Sequence, residues 1–209
     1  MSTLDISSFK NTWVTSDTHF GHTNIIKYCN RPYENSEEMD EDIIKKHNSA
    51  VGPDDLVIHL GDVAFTGQDR INYLMSRLNG NKLLILGNHD HRKALGKFFN
   101  QGIFEYLVVS RGKKERYVLM HYPIESWDRK HHGVPHLHGH CHGTIDNSGL
   151  LRFDMGVDCW DMNPVNLEEL NDIIKLKSSD LLNADYKGRD KLFKKLYERA
   201  NKDEKHTPN

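Results

Sequence analysis

Short apolar runs alternate with amphipathic segments along the chain, and this alternation predicts an α/β domain. The runs with the length and composition of strands are Thr12–Ser16, Leu56–Leu60, Lys82–Leu86, Phe104–Val109, Glu115–Met120, Pro135–Leu137 and Leu150–Met155. Two polar clusters between them, Arg111–Lys114 and Asn147–Gly149, have the composition of hairpin turns.

Three segments with helical periodicity are expected to pack on these strands. Ser36 is expected to cap the first helix, which should end near Gly52. The second should run from about Gln68 to Leu78, and the third should begin after Asn166.

A change in composition near Ser178 predicts two parts, a domain over residues 1–177 and a C-terminal helical extension with a flexible tail over 178–209. Apolar residues recur there at helical spacing among many lysines. This pattern favours a terminal helix docked on the domain. A helix that binds a partner or nucleic acid is the alternative, and the interspersed acidic residues weaken it.

Composition narrows the class of protein. The chain has 209 residues, with 37% hydrophobic and 28% charged, as in ordinary globular domains. A net charge of −2 gives no overall attraction to nucleic acid or an anionic membrane. The first ten residues lack the pattern of a secretory signal, and no apolar stretch is long enough to span a bilayer. The three cysteines have no CxxC spacing, so the expected compartment is the cytoplasm and no membrane is expected as a partner.

Fourteen histidines stand out, and several of them follow predicted strands together with carboxylates and an amide. The segments at strand ends are Asp17-Thr18-His19, Gly61-Asp62, Gly87-Asn88-His89-Asp90, His121 and Gly139-His140-Cys141-His142. In α/β sheets the carboxyl edge of the strands is where ligands bind. Asp17 and His19 are two apart, so in an extended backbone their side chains would face the same way. Oxygen and imidazole donors without thiolate suit manganese, iron, zinc, nickel or cobalt better than calcium or magnesium.

This series of motifs resembles the signature of calcineurin-like metallophosphoesterases, and the run from Ser16 to His22 is similar to small bacterial and bacteriophage members. The resemblance implies a four-layer αββα sandwich, in which two mixed β-sheets face each other with helices outside. It also implies an enzyme, a metal-dependent phosphodiesterase or phosphatase that hydrolyses phosphate esters.

The resemblance further implies a ligand set for two divalent metal ions. One ion would be held by Asp17, His19, Asp62 and His142, and the other by Asp62, Asn88, His121 and His140. Asp62 would bridge the ions, and a water shared by them would become the nucleophile. The ions expected are manganese, iron, zinc or nickel, with manganese supporting activity in vitro.

Four further residues are candidates for catalysis or substrate binding. His89 is expected to act as the general acid at the leaving oxygen, with Asp90 orienting it. His22 and Arg31 are candidates for contact with the substrate phosphate. A solvent-facing or supporting role is the alternative for His22, and an exposed position before Pro32 is the alternative for Arg31.

The expected substrate is a small phosphorylated compound, with a nucleotide or cyclic nucleotide among the candidates. A nuclease or nucleic-acid end-processing enzyme ranks second, because the basic residues are scattered rather than forming a track. A non-catalytic scaffold ranks third, because the chain retains the full ligand set.

Overall fold

Two five-stranded sheets pack face to face in the computed structural model, which describes residues 3–113 and 115–183. The first sheet contains, in spatial order, β1 (Thr3–Asp5), β6 (Tyr106–Arg111), β7 (Glu115–Met120), β8 (His136–His138) and β9 (Arg152–Asp154). The second contains β10 (Val165–Asn166), β2 (Thr12–Thr15), β3 (Leu56–His59), β4 (Asn81–Ile85) and β5 (Ile103–Phe104). Both sheets are mixed, since β6 and β7 pair antiparallel, as do β10 and β2, while the other neighbours are parallel.

Five α-helices flank the sheets within the described residues. They are α1 (Thr23–Tyr28), α2 (Ser36–Ala50), α3 (Gln68–Met75), α4 (Arg92–Leu95) and α5 (Leu167–Asn183). Short 3₁₀ turns lie at Gly96–Phe98, Lys130–His132 and Val157–Cys159. None of these helices has an apolar stretch of the length that crossing a bilayer requires.

The alternation of side chains along β4 shows how one strand serves two cores. Leu83 and Ile85 belong to the cluster between the two sheets, which also contains Ile58 of β3 and Leu119 of β7. Leu84, between them, belongs to the cluster under α1–α4. Because successive side chains of a strand point to opposite faces, an uninterrupted apolar run is what a strand buried on both faces requires. The second sheet is therefore held firmly between helices and the first sheet.

The predicted fold class is confirmed, and all the predicted strands occur with shifts of one or two residues at their ends. One run is divided, because β5 and β6 lie in different sheets and the chain crosses between them at Glu105. The expected hairpin at Asn147–Gly149 is wrong, because β8 and β9 on either side of it are parallel. The turn after Arg111 does join an antiparallel pair.

The helix ends also differ in detail from the prediction. The cap of α2 is Asn35, not Ser36, and its side chain accepts a hydrogen bond from the backbone N–H of Glu38 at 2.8 Å. The third predicted helix is α5, which begins directly after Asn166 as expected. It runs past position 178, and the division of the chain there stays a prediction. The remainder of the proposed extension, from residue 184 on, lies outside the described residues.

Candidate metal centre

The strand ends that carry the predicted ligands meet at one edge of the molecule. β2, β3 and β4 are parallel neighbours in the second sheet, so their carboxyl ends lie side by side. β7 and β8 are parallel neighbours in the first sheet. The segments that follow these five strands therefore come together from both sheets.

Six of the predicted ligands form two groups in which the ligand atoms lie within 4.8 Å of one another. One group is Asp17, His19 and His142, and the other is Asp62, His121 and His140. Asn88 lies beside the second group, with its Oδ1 3.1 Å from Nε2 of His121. Each group contains residues from both sheets.

Asp62 stands between the two groups. Its Oδ2 lies 3.6 Å from Nε2 of His19 and 3.6 Å from Nε2 of His121. These separations are too long for hydrogen bonds. Its other oxygen, Oδ1, accepts a hydrogen bond from the backbone N–H of His89 at 3.0 Å, which fixes the carboxylate. One oxygen of Asp62 is therefore equally far from an imidazole nitrogen of each group.

The backbone is left-handed at five of the ligand positions. The φ angles are 55° at Asp17, 49° at His19, 55° at Asp62, 71° at His140 and 48° at His142, and these are five of the nine non-glycine residues with positive φ in the described chain. Such conformations cost energy and cluster at functional sites. The expectation that Asp17 and His19 face the same way because the backbone is extended is therefore wrong. Left-handed turns bring them together instead.

Glycines let the strand ends approach one another. A Cβ on Gly87 would lie 2.2 Å from Oδ1 of Asp62, and a Cβ on Gly139 would lie 2.0 Å from Oγ of Ser16 and 2.3 Å from Oδ2 of Asp17. Contacts this short do not occur, so only glycine fits at either position.

Asp90 supports the turn that carries Asp62. Its Oδ2 accepts hydrogen bonds from the backbone N–H groups of Asp62 and Gly87, and its Oδ1 accepts one from Val63, each at 2.9 Å. Asp90 is expected from the sequence to orient His89, but both of its oxygens are engaged by backbone. The structure gives Asp90 a different task, which is to hold the Asp62 turn in place.

Burial disfavours the charged forms of the Asp17 and His19 side chains. Desolvation raises the pKa of Asp17 to about 7 and lowers the pKa of His19 to about 2. Nε2 of His19 is buried and has no hydrogen-bond partner among the described residues. A cation would offset the desolvation of the carboxylate and occupy the unpaired nitrogen. The residues therefore fit divalent metal ions with mixed oxygen and nitrogen ligands.

Arg31 lies beneath the first group and is only 4% exposed. Its Nε and Nη2 donate to the two carboxylate oxygens of Asp158, at 2.7 and 2.8 Å. Nη2 also donates to the carbonyl of Asp17 at 2.7 Å, and Nη1 donates to the carbonyl of Thr18 at 3.0 Å and to Sδ of Met39 at 3.4 Å. These contacts occupy all five N–H donors of the guanidinium. Neither sequence expectation for Arg31 is correct, because it is not exposed and has no donor left for a substrate phosphate.

Asp158 orients His142, although none of the sequence motifs contains Asp158. Its Oδ2 accepts a hydrogen bond from Nδ1 of His142 at 2.7 Å. Burial lowers the pKa of His142, but the hydrogen bonds to Asp158 and Cys29 and the charge of Asp17 together outweigh it and raise the pKa to about 10. Because Nδ1 is engaged, Nε2 is the nitrogen left for a cation. The one sequence signal for Asp158 was its place just after an apolar run, the same place that the ligands occupy.

His22 and His89 lie over the first group. Nδ1 of His22 is 3.4 Å from Nδ1 of His19, and the ring centroid of His89 is 5.6 Å from that of His19. Both rings are partly exposed. A group bound at His19 would therefore have both within reach.

Comparisons with known proteins point to one family. Residues 10–207 match the family described as calcineurin-like phosphoesterase. The chain is 34% identical over 176 residues to the uncharacterized protein MJ1445 of Methanocaldococcus jannaschii, which covers 80% of this chain and 93% of that protein. It is 28% identical over 198 residues to the gene 66 protein of Mycobacterium phage L5, which covers 78% of this chain and 94% of that protein. A solved structure of a protein of unknown function, AQ665 from Aquifex aeolicus, shares the fold with a TM-score of 0.64 at 23% identity, over 78% of this chain and 98% of that one.

Proposed function

The chain belongs to the calcineurin-like phosphoesterase family, and from that premise we propose that it holds two divalent cations and hydrolyses a phosphate ester between them. The family supports metal-dependent hydrolysis of phosphate esters in general. The number of ions and the kind of ester are our proposal. The observation that carries it is the position of Asp62, whose Oδ2 is 3.6 Å from Nε2 of His19 in the first group and 3.6 Å from Nε2 of His121 in the second.

The two ligand groups divide the cations between them. Asp17, His19 and His142 would hold one with Asp62, and His121, His140 and Asn88 would hold the other with the same carboxylate. A pair of divalent cations supplies an activated water nucleophile near neutral pH and charge that neutralises phosphate oxygens. Mixed oxygen and imidazole ligands suit manganese, iron, zinc and nickel, and manganese is our choice for the assays.

His89 is proposed as the general acid. The hydrogen bond from its backbone N–H to Asp62 ties its position to the bridging carboxylate. Its ring is partly exposed and lies over His19, so it can reach the leaving oxygen of an ester whose phosphate rests on the first group. Proton donation there would stabilise the departing alkoxide.

The substrate we propose is a small phosphate ester, a monoester or a diester, with nucleotides included. Asn88 and His140 are exposed at the centre, so the phosphate can enter from solvent. His22 is a further candidate for contact with the phosphate, because its ring stands beside His19 at the open side of the first group.

The test combines elemental analysis with a substrate panel. The wild-type chain, loaded with manganese and freed of excess ion, should hold two ions per chain and turn over at least one class among aryl monoesters, aryl diesters, cyclic nucleotides and single-stranded oligonucleotides. Asp62→Ala should lose ions and turnover, while Asp54→Ala, at an exposed carboxylate away from the centre, should keep both. A single ion in the wild type would refute the shared carboxylate. A loaded chain inactive on the whole panel would refute hydrolysis.

A further inference from the structure

Exposed aromatic side chains border the candidate metal centre. Phe65 is 52% exposed, Tyr28 is 74% exposed and Tyr122 is 40% exposed. In the described chain these are three of only six large hydrophobic side chains with such exposure. Scattered exposed hydrophobic residues need no explanation, but their concentration at one functional edge does.

Phe65 is the most closely tied to the site. Its ring centroid lies 4.6 Å from that of His22, with the planes tilted by 37°, and 5.4 Å from that of His89, with the planes perpendicular. Tyr28 also lies next to His22, with ring centroids 6.4 Å apart. Phe65 thus forms a wall beside the proposed general acid, and about half of it faces solvent.

Backbone hydrogen bonds hold the segment that carries Phe65 in place. The N–H of Phe65 donates to the carbonyl of Phe20 at 2.9 Å, and Phe20 pairs with Ala64 in a parallel bridge. Phe20 and Ala64 are both buried. The neighbouring Gly21 has φ of +74°, and a Cβ on it would lie 2.7 Å from Cβ of Thr66. A fixed aromatic surface loses little conformational freedom when a ligand rests on it.

We propose that Phe65 is a stacking platform for a nucleobase carried on the alcohol side of the substrate ester. This rests on the proposed function, because His89 marks the side from which the alcohol leaves. An alcohol that departs past His89 has the Phe65 ring next to it. Flat aromatic groups gain most from such a surface, because rings stack at centroid separations of about 4.5–7 Å.

The experiment measures binding rather than turnover. Non-hydrolysable phosphonate analogues of adenosine 5′-monophosphate and ribose 5-phosphate are titrated into the manganese-loaded full chain by calorimetry. The wild type should bind the adenosine compound about tenfold more tightly, the lower part of the range for one base stacked on an aromatic side chain. Phe65→Leu, which keeps an apolar side chain but loses the flat ring, should abolish the preference and leave binding of the ribose compound unchanged.

Two control variants make the result specific. Phe65→Tyr keeps the ring and should keep the preference. Tyr73→Ala removes an aromatic side chain with 51% exposure that lies on α3, and it should also leave the preference intact. An alkyl phosphonate without a ring should bind no more tightly than the ribose compound.

Several outcomes would overturn the platform. They are equal binding of the two analogues, binding of neither, a preference that survives in Phe65→Leu, or an alkyl compound that matches the adenosine compound. A further titration with a dinucleotide carrying the same phosphonate identifies the source of the base. Equal affinity for it indicates free nucleotides, and higher affinity that falls steeply with salt indicates a strand end.

The same data separate this inference from the proposed function. Turnover of esters together with a Phe65-independent affinity would overturn the platform and leave hydrolysis standing. A Phe65-dependent preference in a chain that hydrolyses nothing on the panel would support the stacking platform and refute hydrolysis.

Discussion

Individual histidines of the candidate centre are held by a partner on one ring nitrogen, which leaves the other for a ligand. Nδ1 of His121 donates to the carbonyl of Leu60 at 2.7 Å, and Nδ1 of His142 is bonded to Asp158. Such partners fix the ring and raise its basicity as a ligand. We therefore expect the residues behind the proposed ligands to affect metal affinity as well.

Asp158→Asn tests this point. An amide would accept more weakly from Nδ1 of His142 and leave the buried guanidinium of Arg31 without its counter-charge. We expect manganese affinity to fall by about 10–100-fold, measured by calorimetric titration of the metal-free chain. Asp172→Asn removes an exposed carboxylate of α5 and should change nothing. Unchanged affinity in Asp158→Asn would show that His142 does not depend on it.

His89→Ala tests the proposed proton donor. Both cations should stay, because the variant keeps the backbone N–H that bonds Asp62. Turnover of an unactivated ester should fall by about 10²–10⁴-fold, the usual contribution of a general acid. His91→Ala, at an exposed neighbour whose side chain caps nothing, is the matched control. Normal turnover in His89→Ala would remove it from the mechanism.

At this scale, sequence alone predicted candidate ligands that the structure brings together, but it did not predict the residues that support them. Asp17, Asp62 and His121 follow apolar strands, so their convergence could be expected from strand order. Arg31 and Asp158 are separated by 127 positions, and neither residue lies in a strand. Their pairing arises from packing in three dimensions, which no local pattern records.

Among the elements, the turns after the strands determine the site more than the strands themselves. The carboxyl ends of β2, β3 and β4 lie side by side, and the residues that follow them include left-handed positions and glycines. The sequence indicated the strands because buried strands have apolar runs. It did not indicate that the run from Phe104 crosses between sheets, because both sheets demand the same apolar pattern.

Gly87→Ala tests the importance of these turns. The added Cβ would lie 2.2 Å from Oδ1 of Asp62, so the Asp62 turn must move. We expect loss of bound manganese and a fall in the free energy of unfolding of about 1–3 kcal/mol, measured by urea denaturation. Gly96→Ala is the control, since nothing lies within 4 Å of its Cβ and its φ is −51°. Its stability should stay the same or rise by up to about 1 kcal/mol. Equal behaviour of the two variants would contradict a steric role for Gly87.

For the molecule as a whole, we expect buried histidines outside the centre to make stability sensitive to acid. His47 is buried in α2, with Nε2 3.1 Å from the carbonyl of Asn79. Burial lowers its pKa to about 4, whereas the unfolded chain has a value near 6.5. The unfolded state therefore takes up a proton first, and stability is lost as the pH falls from about 6.5 towards 4.

His47→Gln should reduce this acid sensitivity. Between pH 7 and pH 5 the wild type should lose about 2 kcal/mol through His47, because each pKa unit corresponds to about 1.4 kcal/mol. The variant should lose correspondingly less, and it can still donate to Asn79. Urea denaturation with chelator at both pH values measures the difference without a contribution from released cations. Equal losses in the two proteins would show that His47 does not titrate on unfolding.

Each ligand group takes side chains from both sheets, so bound cations would fasten one sheet to the other at this edge. If one sheet slid over the other, the proposed ligands in both groups would move apart. The layer that contains Ile58 and Leu119 lies between the sheets that carry the proposed ligands, so we expect its packing to set the separation of those ligands. Repacking that layer should show up as altered catalysis even where the folded state survives.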